Sequence, residues 1–271
     1  MLDHEELQRK FEVYKIPTGN PGFYDHPNFK RLEAADYQYL NNYARFVQTK
    51  SYSDEYIRSA EKKVPQIVDL IYSELVKDNK PQDSKIVSMI LSKVLEKEGF
   101  WNYVVKGALS IYFPSDTNVV PKFYYPIDII DEEAGHYWVV VPPFTVLDIT
   151  VKLQSYYGLE TKYIPDYIME KHCEPSEIDP MEVCSFEVRH YYKSLEIPVS
   201  DLLQTIEPEL LEFSKVFRPF AVRYLDTTFK YSPCAIIAPD AIENNRSIKI
   251  HGYYGIDIYT KFVKPFIEEK C

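Results

Sequence analysis

The feature that most constrains the fold is a change of hydrophobic period near residue 99. Between residues 84 and 97, apolar side chains recur three or four positions apart, and Gly99 supplies a typical helix end. Residues 100–113 and 136–151 are instead rich in β-branched and aromatic residues, and Pro142 and Pro143 divide the second stretch with a turn. One helix followed by three strands predicts an α+β fold.

Helices and strands are predicted on both sides of this unit. Ser53 can cap a helix over residues 53–77, and Pro65 is expected to kink or split it. Residues 17–29 contain Gly, Pro and Asn and predict a loop. The remaining expected elements are a short helix over 31–46, strands over 185–195, 221–225, 234–238 and 247–252, and helices over 200–217 and 256–269.

The overall composition excludes several functional classes. The formal net charge is -10 and the sequence has no cluster of Lys or Arg, so we expect no binding to nucleic acid. No apolar run reaches the length of a membrane span, and the first residues do not form a signal peptide, so we expect a cytoplasmic protein without membrane contact. The four cysteines are scattered and contain no CxxC, which predicts reduced thiols and neither a metal site nor a disulfide framework.

His136 and Asp148 are the first candidate site residues. His136 begins one predicted strand and Asp148 lies near the end of the next, so adjacent antiparallel strands can bring the two side chains together on one face. Each residue alone has an ordinary structural interpretation, as a strand-edge histidine or a turn former. However, Asp148 lies between Leu147 and Ile149 in an apolar strand, where a carboxylate needs a partner. A carboxylate beside an imidazole fixes its tautomer and prepares it to act as a general base.

Ser84 is the third candidate, because it stands at the start of the predicted helix over residues 84–97. The N-terminus of a helix has unpaired N–H groups and a partial positive charge, which favour an anionic nucleophile and can bind an oxyanion. The simpler interpretation is that Ser84, just after Asp83, is a helix N-cap.

Two stretches together resemble the transglutaminase-like and papain-like superfamily. SKIVSMILSKVLEKEGFWNYVVKG is similar to its nucleophile helix and following strand, and GHYWVVVPPFTVLDIT is similar to its His strand and its strand ending in Asp-x-Thr. The resemblance covers about a quarter of the chain. It implies an α+β papain-like core whose nucleophile helix packs on an antiparallel sheet, with catalytic residues at positions 84, 136 and 148. It also implies attack on a peptide or carboxamide bond through an acyl-enzyme, with a protein or peptide substrate and no cofactor.

The resemblance divides the chain into three parts. Residues 1–80 are a helical N-terminal part, residues 81–158 are the transglutaminase-like core, and residues 159–271 are an α+β extension of the same or an adjoining domain. Within the core, Gln82 is a candidate oxyanion donor and Trp138 a candidate wall of the substrate cleft. Their ordinary interpretations are a turn residue and a core residue.

Position 84 departs from the family pattern, because the family nucleophile is Cys and this chain has no Cys before Cys173. A hydroxyl is a much poorer nucleophile than a thiol. Three interpretations stay open: an inactivating Cys→Ser replacement, a pseudoenzyme that binds a protein or peptide in the cleft, and a working serine nucleophile. A fourth is that the motif match is accidental and the protein is structural or regulatory. The sequence does not predict the oligomeric state.

Overall fold

An antiparallel sheet organises the molecule. The computed structural model describes residues 3–244 and 249–269, and within these ranges eight strands form one sheet. The strands are β1 (Tyr103–Tyr112), β2 (Lys122–Tyr124), β3 (His136–Val141), β4 (Phe144–Asp148), β5 (Ile168–Glu170), β6 (Glu174–Pro175), β7 (Phe220–Tyr224) and β8 (Thr227–Ile237). Their order is β5-β4-β3-β1-β8-β7-β6, and β2 pairs with β1 outside this path. The α+β class predicted from the sequence is confirmed.

Three helices precede the region of clear periodicity. They are α1 (His4–Val13), α2 (Pro27–Ala35) and α3 (Leu40–Thr49). The sequence predicts only one weakly patterned helix in this part, over residues 31–46, and α1 was not expected. Asp3 and Glu6 form a capping box at the start of α1, which is a local helix-start pattern. Aromatic side chains of this part, including Phe11, Phe23 and Phe46, pack edge to face in one core cluster.

Two long helices then cover the sheet. Helix α4 (Asp54–Lys77) begins after the predicted N-cap Ser53, whose hydroxyl accepts from the Tyr56 amide. The expected split at Pro65 is wrong, because α4 continues through this residue as one helix. Helix α5 (Ser84–Lys97) has the predicted bounds. Its N-cap is Asp83 rather than Ser84, because the Asp83 carboxylate accepts from the amides of Lys85 and Ile86.

The second half of the chain adds short helices and completes the sheet. The helical elements of this half are α6 (Pro180–Val183), α7 (Phe186–Ser194), α8 (Leu202–Ile206), α9 (Pro208–Val216), α10 (Gly255–Ile258), a π-helical turn (Tyr259–Val263) and α11 (Lys264–Glu269). The strand predicted over 185–195 is wrong, because Ser185 caps α7 there. The helix predicted over 200–217 is divided into α8 and α9 near Glu207. Of the strand predicted over 247–252, residues 247 and 248 lie outside the described residues, and Ile250 makes one isolated bridge to Tyr253.

The two faces of the sheet have separate cores. Helices α4 and α5 pack on the face that carries Val104, Tyr137 and Val139, and the C-terminal helical segment joins the same cluster. The opposite face carries Val105 and Trp138, and the aromatic side chains of the N-terminal helices pack there. Within the described residues, no helix combines the length and apolar character that crossing a membrane requires.

Candidate functional site

The hairpin of β3 and β4 brings His136 and Asp148 together. His136 is the first residue of β3 and Asp148 the last of β4, so both lie at the same end of the antiparallel pair. The imidazole Nε2 lies 2.6 Å from Asp148 Oδ2, and both side chains are completely buried. The adjacency predicted from the two strands is confirmed.

Asp148 has four hydrogen-bond donors. Its Oδ2 accepts from His136 and from the Tyr231 hydroxyl at 3.0 Å, and its Oδ1 accepts from the Thr150 amide at 3.0 Å and the Thr150 hydroxyl at 3.1 Å. Burial works to raise the pKa of Asp148, but the charge of His136 and these hydrogen bonds outweigh it and place the pKa below its usual value. Asp148 is therefore ionised at neutral pH.

The ionised carboxylate determines the tautomer of His136. An ionised carboxylate only accepts hydrogen bonds, so the proton of this contact belongs to His136 Nε2. In the neutral imidazole, Nδ1 is then the basic nitrogen. This atom is buried and has no hydrogen-bond partner among the described residues. The ring of Tyr124 packs against the imidazole ring, with ring centroids 5.5 Å apart. His136 is thus oriented as a general base would be, but it is enclosed.

Helix α5 begins at the same end of the sheet. The Ser88 hydroxyl donates to the Tyr137 carbonyl, and Lys85 pairs with Glu133 just before β3. Asn102, just before β1, donates to the Ser92 carbonyl, and the start of β1 pairs with the end of β3. Helix α5 therefore runs parallel to β3. The start of α5, the start of β3 and the end of β4 therefore meet at one end of the sheet.

Ser84 and His136 nevertheless lie on different faces of the sheet. Helix α5 packs against the face of Tyr137 and Val139, whereas His136 shares the opposite face with Trp138, two residues along the strand. Ser84 is mostly buried in the first turn of α5. Because His136 Nε2 bonds to Asp148 and Nδ1 has no partner, the structure does not join Ser84 to the imidazole. A nucleophilic role for Ser84 stays a prediction.

The expected oxyanion donors are occupied by other groups. Asp83 accepts from the amides of Lys85 and Ile86 and places a carboxylate at the tip of α5. The side-chain nitrogen of Gln82 donates to Asp78 Oδ2 and to the Lys80 carbonyl. Both N–H groups of the Gln82 amide are thus used within the turn before α5, and neither is left for an oxyanion.

Trp138 lines a cavity on the same sheet face as His136. The cavity has a volume of about 240 Å³ and is partly open to solvent. It is lined by Gln48, Tyr103, Val105, Trp138, Val140, Pro142, Pro143, Phe144, Thr145, Phe217, Arg218, Phe220 and Pro233. The indole Nε1 of Trp138 is buried and has no hydrogen-bond partner among the described residues. Trp138 is also completely buried in the core, and its role as the wall of a substrate cleft stays a prediction.

The cysteines of the described residues do not have the character of nucleophiles. Burial raises the pKa of Cys173, Cys184 and Cys234 to about 12 each. Such thiols are almost entirely protonated at neutral pH, and the thiolate is the reactive form. Across residues 3–244 and 249–269, no three His, Cys, Asp or Glu side chains are grouped so that they could hold a metal ion.

The comparisons with known proteins do not extend this description. No protein-family model, no curated protein and no solved structure matches the chain. The resemblance to the transglutaminase-like superfamily therefore depends on the two stretches of sequence and is carried further only as a proposal.

Several residues of the site were not expected from the sequence. Thr150 belongs to the Asp-x-Thr pattern, so the sequence near Asp148 already indicates a residue that can donate hydrogen bonds to it. Tyr231 and Arg218 come from the last part of the chain, and nothing near them in the sequence relates them to Asp148 or Trp138. Only the pairing of β8 with β1 brings Tyr231 to the hairpin.

Proposed function

We propose that this chain binds a peptide segment of a partner protein in the cavity beside Trp138, on a transglutaminase-like core without acyl-transfer activity. The observation that carries the proposal is the carboxylate of Asp83 at the tip of α5. An acyl-transfer site needs donors directed at the developing oxyanion. Here an acidic side chain accepts from those amides, and its charge disfavours an anion at Ser84.

The burial of the imidazole supports the same conclusion. His136 and Asp148 have no solvent-exposed surface, and Tyr124 and Tyr231 lie against them. A general base must come within hydrogen-bond reach of the proton that it removes. The pair instead joins β3, β4 and β8 through hydrogen bonds inside the sheet, which is a structural role.

The cavity has the chemistry of a peptide-anchoring site. Aromatic and proline side chains form most of its wall, and such side chains offer large apolar contact area at little cost in conformational entropy. Its volume of about 240 Å³ is below the roughly 300–1,000 Å³ of sites that enclose a whole small molecule. A cavity of this size and openness suits one apolar side chain of a longer chain.

Peptide binding is tested with fluorescein-labelled hexapeptides of Gly and Ser that carry one Phe, one Leu or no apolar residue. Fluorescence anisotropy with the full chain should show binding only of peptides with an apolar residue. Val140→Phe fills the cavity and should abolish binding, whereas the same change at exposed Val120 should leave it intact. Absence of binding by every peptide, or equal binding by Val140→Phe, contradicts the proposal.

Acyl transfer is a second candidate, and the free Nδ1 of His136 is the observation that favours it. This reaction requires Ser84 to reach the imidazole from the other face of the sheet. Its oxygen then attacks the amide carbon, and its proton passes to Nδ1. The imidazolium then protonates the leaving amine as the C–N bond breaks. Water or an amine next attacks the acyl carbon, the bond to the Ser84 oxygen breaks, and the proton of the attacking group passes through His136 to Ser84. Asp148 would hold the imidazole throughout.

The Ser84→Cys variant separates the two candidates. In a Cys271→Ser background, we expect iodoacetamide at pH 7 to alkylate the new thiol no faster than that of Ser88→Cys, which lies one turn further along α5. The native thiols of Cys173, Cys184 and Cys234, with pKa values of about 12, should react slowly in both variants. Intact mass gives the rates. Alkylation at position 84 that is at least about tenfold faster and is lost in His136→Asn would support acyl transfer instead.

A further inference from the structure

The lining of the Trp138 cavity contrasts with the charge of the whole chain. The sequence has 41 acidic and 31 basic residues, yet none of the residues that line the cavity is Asp or Glu. The one charged residue in the lining is Arg218. The cavity therefore combines an apolar interior with a positive charge on an otherwise acidic molecule, and this combination attracts an anion that carries an apolar group.

Arg218 is available for such an anion. Its side chain is exposed, and no hydrogen bond or ion pair to another described residue is formed by its guanidinium. The neighbouring residues Phe217 and Phe220 are buried and form part of the cavity wall, so Arg218 is attached at the rim. A guanidinium offers a planar pair of N–H donors that matches a carboxylate.

The indole of Trp138 contains a second donor without a partner. Its Nε1 is buried without an acceptor among the described residues, although an indole N–H in a protein interior normally has one. Trp138 has no exposed surface and forms part of the cavity wall. Gln48, also in the lining, is hydrogen-bonded to the Tyr103 hydroxyl, which stabilises the opposite side of the wall. The cationic group of the lining is thus the guanidinium of Arg218.

We propose that the cavity binds the C-terminal residue of a partner peptide, with its apolar or aromatic side chain inside and its free carboxylate on Arg218. This inference rests on the proposed peptide-binding function and specifies its ligand. A C-terminal residue carries an apolar side chain and a carboxylate on one Cα, which matches a cavity with its cation at the rim. An internal acidic residue supplies the charge without the apolar group, and capture of C-terminal carboxylates is a recurring mode of peptide recognition.

The test compares one hexapeptide in three forms: Phe at the C-terminus as the free acid, the same peptide as the C-terminal amide, and Phe at the third position with a free acid. Anisotropy should show the first form binding at least about tenfold more tightly than the other two, as expected for one charge-assisted pair. Arg218→Gln should reduce the affinity for the first form to that for the amide. Arg223→Gln, a matched change at an exposed Arg outside the cavity, should have no effect.

The outcomes separate this inference from the function on which it rests. Equal affinity for acid and amide, or an unchanged affinity in Arg218→Gln, overturns the C-terminal assignment while peptide binding itself survives. If N-acetyl-phenylalanine alone displaces the peptide with equal affinity, the ligand is a small carboxylate and the assignment to a peptide is overturned. Failure of all three peptides to bind removes both proposals.

Discussion

At the scale of single residues, Asp148 shows how a buried charge is kept in an apolar sheet. Three different residues supply its four donors, and the pKa of Asp148 stays below its usual value despite complete burial. Removing one partner of such a group leaves the rest unsatisfied and typically costs about 3–5 kcal/mol. The pair therefore contributes to stability in a pH-dependent way.

We predict that the stability contributed by Asp148 is lost in acid. The folded pKa lies below the unfolded value of about 3.9, so the contribution is complete above that value and disappears as the pH falls through the folded pKa. Urea unfolding of the wild type and of Asp148→Asn should give free energies that differ most near pH 6 and converge below pH 4.

A second variant keeps this test decisive if Asp148→Asn does not fold. Tyr231→Phe removes one hydrogen bond to the ionised carboxylate and should lower the free energy of unfolding by about 1.5–3 kcal/mol near pH 6. This difference should also shrink in acid. A difference that stays constant as the pH falls through the folded pKa of Asp148 would show that the carboxylate is not the titrating group.

The sequence predicts the His136–Asp148 pair because the argument is local. An Asp between Leu147 and Ile149 needs a partner, and the hairpin supplies one at the same end of the neighbouring strand. Tyr231 was not predictable by such reasoning, because its contact depends on the pairing of β8 with β1. The cap at Asp83 was open to prediction, since Asp is as good an N-cap as Ser.

At the scale of elements, β1 and β8 approach each other closely where their register shifts. The register shifts between Lys106 and Gly107, where β8 contains one extra residue. A Cβ added at Gly107 would lie 2.6 Å from the Trp138 ring and still closer to the Ser232 carbonyl oxygen. Neither neighbour can yield easily, because one is backbone and the other is a fully buried ring.

We predict that Gly107→Ala destabilises the protein by about 1–3 kcal/mol, the usual cost of overpacking a close contact. Thermal or urea unfolding measures the change. Gly19→Ala is the matched control, because a Cβ there meets no atom within 4 Å, and its effect should stay within about 0.5 kcal/mol. A neutral Gly107→Ala variant would mean that β8 is not held this closely against β1.

Elements were predictable where the hydrophobic period was long and regular. Helix α5 and the β3–β4 hairpin follow the expected bounds because each has one clearly apolar face or run. Helix α7 was mistaken for a strand because its aromatic and β-branched residues favour strands, while only Val188 of its sequence is buried. In that segment the N-cap at Ser185 favours a helix more strongly than the side-chain pattern favours a strand.

At the scale of the whole molecule, the last part of the chain completes the sheet of the core. Nine residues of β1, from Val104 to Tyr112, have partners in β8, which is the most extensive ladder of the sheet. Residues after 158 also supply β5, β6 and β7. Without them, β1 would expose a long unpaired edge, and the cluster around α4 and α5 would lose the C-terminal helical segment that packs against it.

We predict that a fragment of residues 1–158 does not fold cooperatively. Urea titration followed by Trp fluorescence should show one sigmoidal transition for the full chain and a gradual change for the fragment. Adding residues 159–271 as a separate chain is the control, since pairing of β8 with β1 in trans should restore a transition. A cooperative transition of the fragment alone would show that residues 81–158 and the N-terminal helices form an independent unit.

The pairing of β1 with β8 also has a consequence for how the protein is made. During synthesis, β1, β3 and β4 leave the ribosome close together and can form their short-range pairs early. The partner of β1 on its other side emerges only when most of the chain has been translated. Such distant pairing gives a high contact order and slow folding. We therefore expect the nascent chain to need protection of β1 by a chaperone until β8 arrives.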